Sequence, residues 1–428
     1  MKQVQRILAD YSADLFGTCS ALYELGGMVV MDDASGCNST YATHDEPRWF
    51  DIDSMIYITA LSENDAVMGN DGKIIDDVCE AALARHPRFI ALCGSPIAMM
   101  MGTDFKGLAH VIEKRTGIPS FGILSSGMKT YEWGAGQAFE EIVNRFCPET
   151  AVKPEHDDVR VNLLGVTPLD FSINGNAETL ESFFAENGCT VVSSWAMNNQ
   201  LDRLSGAGTA DVNVVVSVTG LKAAEALRQK YGTPYVTGIP EGVKASEKLI
   251  GKVYDAAGKK MTGAFTADVI QSPSPQYKAA SHGISLLKQT SRTPGDDSVR
   301  QPVRADSKSS VLIIGEPVSA SSLRSCLEDD FGFSDVHILC ALEETGDMLR
   351  SSDYQTEEED DISLLISRSD CVIADPIFRR VLGRDSHTMF ADLPHEAYSG
   401  RLYRDRIPVF IGSNMTSWLR RNVIGSMK

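Results

Sequence analysis

Cys37 closes the polar, glycine-containing stretch Asp33-Ala34-Ser35-Gly36-Cys37, which follows the apolar run Met28-Val29-Val30-Met31 after Asp32. A thiol set in such a loop, beyond the carboxyl end of a strand, is placed for chemistry, and a thiolate is a soft ligand for iron-sulfur clusters. Cys93 ends a second apolar run, Arg88-Phe89-Ile90-Ala91-Leu92-Cys93, so both thiols can face one crevice. Cys19 follows Gly17-Thr18 and is expected to open a short helix that stops at Gly26-Gly27, with Thr18 as its N-cap. A helix N-terminus stabilises a thiolate and the negative charge of a thiolate-bound group. Three thiolates could then converge.

The remaining cysteines, Cys79, Cys147, Cys189, Cys326, Cys340 and Cys371, read as small buried hydrophobes. An odd total of nine and the lack of any C-x-x-C pair argue against a disulfide framework, a zinc ribbon and a thioredoxin-type motif. Beside Cys37, His44 lies next to Asp45, Glu46 and Arg48, where it could shuttle protons or bind substrate; the alternative is a hydrogen-bonded loop carrying surface charge. Met99-Met100-Met101 is expected to pack in the core at the start of a helix.

Alternating strands and helices must position these residues. Strands are expected at 28–31, 55–59 and 88–93, with helices at 74–85 and 105–116 between and after them; such βαβ alternation implies a parallel sheet covered by helices. The stretch from Pro148 to Asp158 breaks the pattern. A second unit follows, with strands at 161–166, 190–192, 212–217 and 231–236 and helices at 179–187 and 245–257. Residues 272–307, rich in Ser, Pro, Lys, Arg and Gln, read as a linker or long surface loop. A third unit starts at Ser310-Val311-Leu312-Ile313-Ile314-Gly315, with a helix over 321–331 and strands at 336–339 and 371–374. The acidic run Glu357-Glu358-Glu359-Asp360-Asp361 is expected to be the solvated N-terminus of a helix. The fold class is therefore α/β, with three Rossmann-like domains at 1–150, 159–271 and 308–428. No G-x-G-x-x-G or Walker A motif follows any strand, which disfavours dinucleotide or ATP binding and a nucleotide-sugar enzyme.

Composition excludes other classes. A net charge of -18 opposes a phosphate backbone or an anionic membrane surface, so nucleic acid is not an expected partner. No apolar run approaches the roughly 20 residues that span a bilayer. The start, Met1-Lys2-Gln3-Val4-Gln5-Arg6, runs into mixed sequence, so a cytoplasmic location is expected.

The ordered segments resemble the nitrogenase component 1 superfamily, which includes nitrogenase subunits and dark-operative protochlorophyllide reductase. Asp32-Asp33-Ala34-Ser35-Gly36-Cys37 is similar to that family's His-Gly-Pro-x-Gly-Cys cluster loop, although Asp32-Asp33 stands where His-Gly is usual. Thr59 to Gly69 is similar to its Thr, Glu, Asp, Val and Gly segment, and Gly94-Ser95-Pro96 through Asp104 to its Cys-Pro-x-x-x-Ile-Gly-Asp-Asp turn. Thr116-Gly117-Ile118-Pro119, Val161-Asn162-Leu163-Leu164-Gly165, Tyr231-Gly232-Thr233-Pro234-Tyr235 and Pro240-Glu241-Gly242 extend the likeness over nearly the whole chain.

The resemblance implies a cluster-bearing first domain whose cysteines bind an iron-sulfur cluster, [4Fe-4S] or related, between two subunits. It also implies a homologous nitrogenase-like partner subunit and an ATP-dependent iron-sulfur reductase as electron source. Cys37 matches the motif. The family's third cysteine falls at or next to Ser95, where the nearest thiol is Cys93, and Cys19 lies closer to Cys37 than the first family cysteine does. In the last domain His395 is the only candidate for a cofactor ligand, which argues against dinitrogen reduction. The expected function is electron transfer to another substrate; the alternative is a scaffold or cofactor-assembly protein that keeps the fold without redox activity.

Overall fold

The computed structural model describes residues 7–8, 12–36, 38, 41, 45–69, 71–261, 263–269, 305–382 and 386–424. Three separate parallel sheets carry the chain. The first contains β1 (Met28–Asp32), β2 (Met55–Ile58), β3 (Ile90–Gly94) and β4 (Ser120–Gly122) in the order β2-β1-β3-β4. Its two central strands are buried along their whole length, as expected where helices cover both faces. Those helices are α1 (Asp14–Leu22), α2 (Glu63–Met68), α3 (Asp71–Arg85), α4 (Pro96–Met101), α5 (Phe105–Thr116) and α6 (Tyr131–Phe146).

The second sheet holds β5 (Val159–Val166), β6 (Cys189–Ala196), β7 (Val212–Val215) and β8 (Tyr235–Thr237), in the order β6-β5-β7-β8. Around it lie α7 (Pro168–Phe171), α8 (Asn176–Glu186), α9 (Leu201–Ser205), α10 (Leu221–Tyr231) and α11 (Lys244–Ala256). The third sheet has β9 (Val311–Ile314), β10 (Val336–Cys340), β11 (Tyr354–Gln355), β12 (Cys371–Ala374) and β13 (Met389–Asp392), in the order β11-β10-β9-β12-β13. Its helices are α12 (Pro317–Phe331), α13 (Glu359–Ser367), α14 (Glu396–Ser399) and α15 (Ser413–Asn422).

Apolar cores run across the sheets. Val29, Cys93 and Phe121 of the first share a core with Leu164, Trp195 and Val215 of the second. Val161, Val214 and Ile250 share another with Val311, Ile338 and Ile373 of the third. Burial of this apolar area is the main force holding the sheets together.

Local signals set the element ends. Ser62 and Asp65 form a reciprocal capping box on α2, and Asp104 caps α5, which ends at left-handed Gly117 (φ 72°). Four sequence expectations need correction. The third-unit helix begins at Pro317, not Ser321, because Pro occupies its first turn and the Glu316 carboxylate caps it by accepting from Ser319 N. Tyr231 belongs to α10, which ends at left-handed Gly232, so the last strand of the second sheet starts at Tyr235. Glu359 is not solvated: its Oε1 accepts from the amides of Ile7 and Leu8 at 2.7 and 2.8 Å. Met99 and Met100 are 51% and 75% exposed instead of buried. Of the expected linker, residues 272–304 lie outside the described residues.

Candidate functional site

At the carboxyl edge of the first sheet, register decides which thiols meet. β1 and β3 pair with Met31 opposite Cys93 and Asp32 opposite Gly94. Cys93 is fully buried, and its Sγ donates to Val30 O at 3.6 Å. Its thiol also lies beside that of Cys19; this contact and burial hold the Cys93 proton well above the ordinary thiol range. Cys19 reaches this point from the middle of α1, not from a helix start. The helix begins at Asp14 with Ala13 as N-cap, so the expected Thr18 cap and first-turn Cys19 are corrected. The stabilisation that a helix N-terminus lends a thiolate does not apply to Cys19. All eight described cysteines are buried.

Cys37 and His44 lie outside the described residues. The approach to Cys37 is ordered by the pair of aspartates. Asp32, 2% exposed, accepts from Thr59 Oγ1 at 2.7 Å, and burial raises its carboxyl pKa. Asp33 Oδ2 accepts from Ser35 N at 3.0 Å, turning the chain just before Cys37. Near His44, Arg48 is fully buried and bonded to Glu46, Glu24 and Ser20 O. That part of the loop is a structural ion-pair network. Ser95 follows β3 as N-cap of α4, yet its Oγ is buried and has no hydrogen-bond partner among the described residues. No group of three or more His, Cys, Asp and Glu suited to a metal occurs among the described residues.

A second polar locus lies where the second and third sheets meet, again beyond strand carboxyl ends. A cavity of about 40 Å³ there is lined by Asp170, Glu241, Glu316, Ser319, His395 and Tyr398. This volume holds a few waters and no organic substrate. Glu316 accepts from Val218 N and Ser319 N, both at 2.7 Å. Burial first, and then the neighbouring Asp170 charge, nevertheless push its carboxyl up to about 8. Glu241 is raised well above its usual value by burial and by Glu316, and its Oε2 has no partner among the described residues. Tyr131 Oη donates to Asp170 Oδ1 at 2.5 Å, and His395 Nε2 lies 3.5 Å from the same oxygen. Both ring nitrogens of His395 are buried without a hydrogen-bond partner among the described residues.

The structure thus brings Cys19 to Cys93, and His395 to three buried carboxyl groups. Residue-type reasoning singled out His395 and missed Asp170, Glu316 and Tyr131. Glu316 did carry a signal: it is an acidic residue between the end of β9 and a helix-starting proline. Glu241 stood in Pro240-Glu241-Gly242 without a chemical role attached to it.

Comparison with known proteins follows the same architecture. The solved structure described as "Nitrogenase Cp1 at pH 6.5" superposes with a TM-score of 0.68 at 15% identity, covering 98% of this chain and 92% of that one, which shows a shared fold. Curated relatives include the nitrogenase molybdenum-iron protein alpha chain of Methanosarcina barkeri, 24% identical over 51% of this chain and 41% of the relative. A subunit of the light-independent protochlorophyllide reductase of Bradyrhizobium sp. (strain ORS 278) is 30% identical over 44% of this chain and 38% of its own length. The nitrogenase iron-molybdenum cofactor biosynthesis protein NifE of Clostridium pasteurianum is 22% identical over 48% and 44%. Each of these three curated matches spans less than half the relative's length. The family described as nitrogenase component 1 type oxidoreductase matches residues 14–285, more than half of the sequence, and the chain belongs to that family.

Proposed function

We propose that the chain is an oxidoreductase subunit in which Cys37, Cys93 and Cys19 hold an iron-sulfur cluster, [4Fe-4S] or related, and which passes electrons from an ATP-dependent iron-sulfur reductase to a substrate other than dinitrogen. The observation that carries this reading is the contact of the Cys19 and Cys93 thiols at the sheet edge from which the Cys37 loop departs. The donor chemistry fits: two soft thiols are side by side, and loss of their protons to a metal relieves a contact that now disfavours the thiolate. A bound cluster supplies one-electron storage at a potential set by charge, burial and hydrogen bonding.

The chain's own groups supply the rest. Glu316, with its carboxyl at about 8, retains a proton at neutral pH in the water-sized cavity at the junction. Tyr131 orients Asp170 beside His395. Val67, Met68, Met99, Met100, Leu124 and Met128 are exposed on the elements that follow β2, β3 and β4. An apolar surface of this kind supports docking of a homologous subunit over the thiol edge. The scaffold or cofactor-assembly reading draws support from the small junction cavity, which leaves no room for an organic substrate.

Anaerobic purification and reconstitution, followed by iron and sulfide analysis and visible spectra, tests the proposal. Bound iron with charge-transfer absorption is expected, strongly reduced in Cys37→Ser. Folded full-length protein that takes up no iron on reconstitution would overturn the redox reading, and unchanged stability and partner binding in Cys37→Ser would favour the scaffold.

A further inference from the structure

β2 is an edge strand of the first sheet, pairs with β1 alone, and is half-buried along its whole length. Thr59 N donates to Met31 O and Leu61 N to Asp33 O. Alternate residues of β2 therefore bond to β1, and Ile56 and Ile58 turn their N–H and C=O groups to the open side, where no described residue pairs with them. An unpaired edge of apolar sequence is a template for another strand, and proteins usually blunt it with charge, proline or cover. Three other edge strands here are guarded by a cation. Arg145 lies over the Phe121 ring of β4, Arg228 over the Tyr235 ring of β8 and Arg379 over the Phe390 ring of β13, at 5.5, 5.7 and 4.6 Å from the ring centroids. Arg379 also donates to Phe390 O at 3.2 Å. The sequence from Trp49 to Gly72 holds no Lys, Arg or Pro, so neither β2 nor its flanks supply such a guard.

Beside the edge, β2 and α3 frame an apolar pocket of about 100 Å³ lined by Met28, Val30, Tyr57, Ile74, Val78 and Ala81. This is below the roughly 300 Å³ at which small-molecule sites begin, and it suits one aliphatic side chain of a strand running along β2. The rim is acidic. Asp77 stands at the pocket, Glu80 follows it on the same side of α3, and Asp53 lies just before β2; all three are exposed and none makes an ion pair with a described residue. A rim of one sign disfavours pairing of β2 with its own copy in a second molecule and favours a cationic segment.

We propose that the open edge of β2 docks an extended, basic segment of a partner protein, which adds as a fifth strand to the first sheet, sets an aliphatic side chain into the pocket between β2 and α3, and places lysines beside Asp53, Asp77 and Glu80. Main-chain bonds to Ile56 and Ile58 supply the attachment, and the pocket and the acidic rim select the sequence. The surface runs along the side of the sheet and not across its carboxyl edge, so it is independent of the cluster and of the redox reading.

Calorimetry on the full-length protein with the peptide acetyl-Thr-Lys-Thr-Val-Thr-Lys-Thr-amide tests it, since the valine and both lysines then share one face of a strand. Saturable binding is expected, at least about tenfold weaker for the peptide with Glu in place of Lys and for the peptide N-methylated at its three central residues. Hydrogen exchange at the Ile56 and Ile58 amides should slow when the peptide binds, because both become strand donors. Asp77→Lys, a change on an exposed helix position, should weaken binding by a similar factor without altering the circular dichroism. Absence of saturable binding, equal binding of the N-methylated peptide, or binding unaffected by Asp77→Lys would each overturn the proposal. A dimer in sedimentation whose Ile56 and Ile58 amides are already protected without peptide would also overturn it, and would assign the edge to a second copy of this chain.

Discussion

Ser95 shows how a single side chain can be out of place energetically. Its hydroxyl is buried at the N-cap of α4 but neither caps the helix nor meets another partner among the described residues. A buried donor without a partner is destabilising, so Ser95→Ala is expected to raise stability by about 1 kcal/mol in chemical denaturation. A loss of stability would instead reveal an ordered water on the hydroxyl. Because Ser95 lies two residues beyond Cys93 at the same sheet edge, Ser95→Cys should increase the iron retained after reconstitution. The sequence marked this position through the family resemblance, but it could not show that the hydroxyl lacks a partner, since satisfaction of a polar group depends on what the fold brings beside it. The same limit explains Cys19. Gly17-Thr18 looked like a helix start, whereas the helix is nucleated one turn earlier, at Asp14, whose carboxylate accepts from Ser126 N and Gly127 N. That interaction joins segments more than a hundred residues apart and leaves no local trace.

At the scale of elements, α1 and α6 pack with their backbones in close approach. A Cβ at Gly17 would stand 1.8 Å from Tyr131 O, and one at Gly134 would stand 1.8 Å from Asp14 O. Two glycines, one per helix, allow the contact that fixes α1 and so carries Cys19 to Cys93. Gly134→Ala is therefore expected to cost about 3 kcal/mol, at the upper end of overpacking effects, as measured by the denaturation midpoint. It should also lower cluster occupancy, since α1 must move aside. A cost within about 0.5 kcal/mol, the range of an ordinary surface substitution, would show that the helices can separate freely. Strands such as β1, β3, β9 and β12 were legible because a strand buried on both faces reads as a continuous apolar run. The glycine contact was not, because Gly17 and Gly134 are separated by more than a hundred residues and neither occupies a turn.

For the whole molecule, the junction of the second and third sheets stores a pH dependence. The Glu316 carboxyl, with an ordinary value of 4.5, is pushed up to about 8 in the folded protein, where Asp170, Glu241 and His395 also line the cavity. Between these values the folded state holds a proton that the unfolded state has released, so stability falls as pH rises. The contribution is fully present below about 4.5 and is lost as pH passes through about 8. Glu316→Gln mimics the protonated form, so the decline in Tm between about pH 5 and pH 8 should be shallower in the variant than in the parent. Identical slopes would mean that Glu316 is ionised throughout. No described helix is long and apolar enough to cross a membrane, in line with the lack of long apolar runs.

Apolar periodicity and the order of short motifs by themselves determined the α/β class, most strand positions and the family likeness, because hydrophobic patterning and turn chemistry act over a few residues. Only the tertiary structure decided that Cys19 meets Cys93, that Ser95 has an unpartnered hydroxyl, and that Asp170, Glu241, Glu316 and His395 share one cavity. Each of these depends on long-range packing, strand register and the loss of water around charges, and two residues far apart in the chain acquire a common environment only when the sheets close over them.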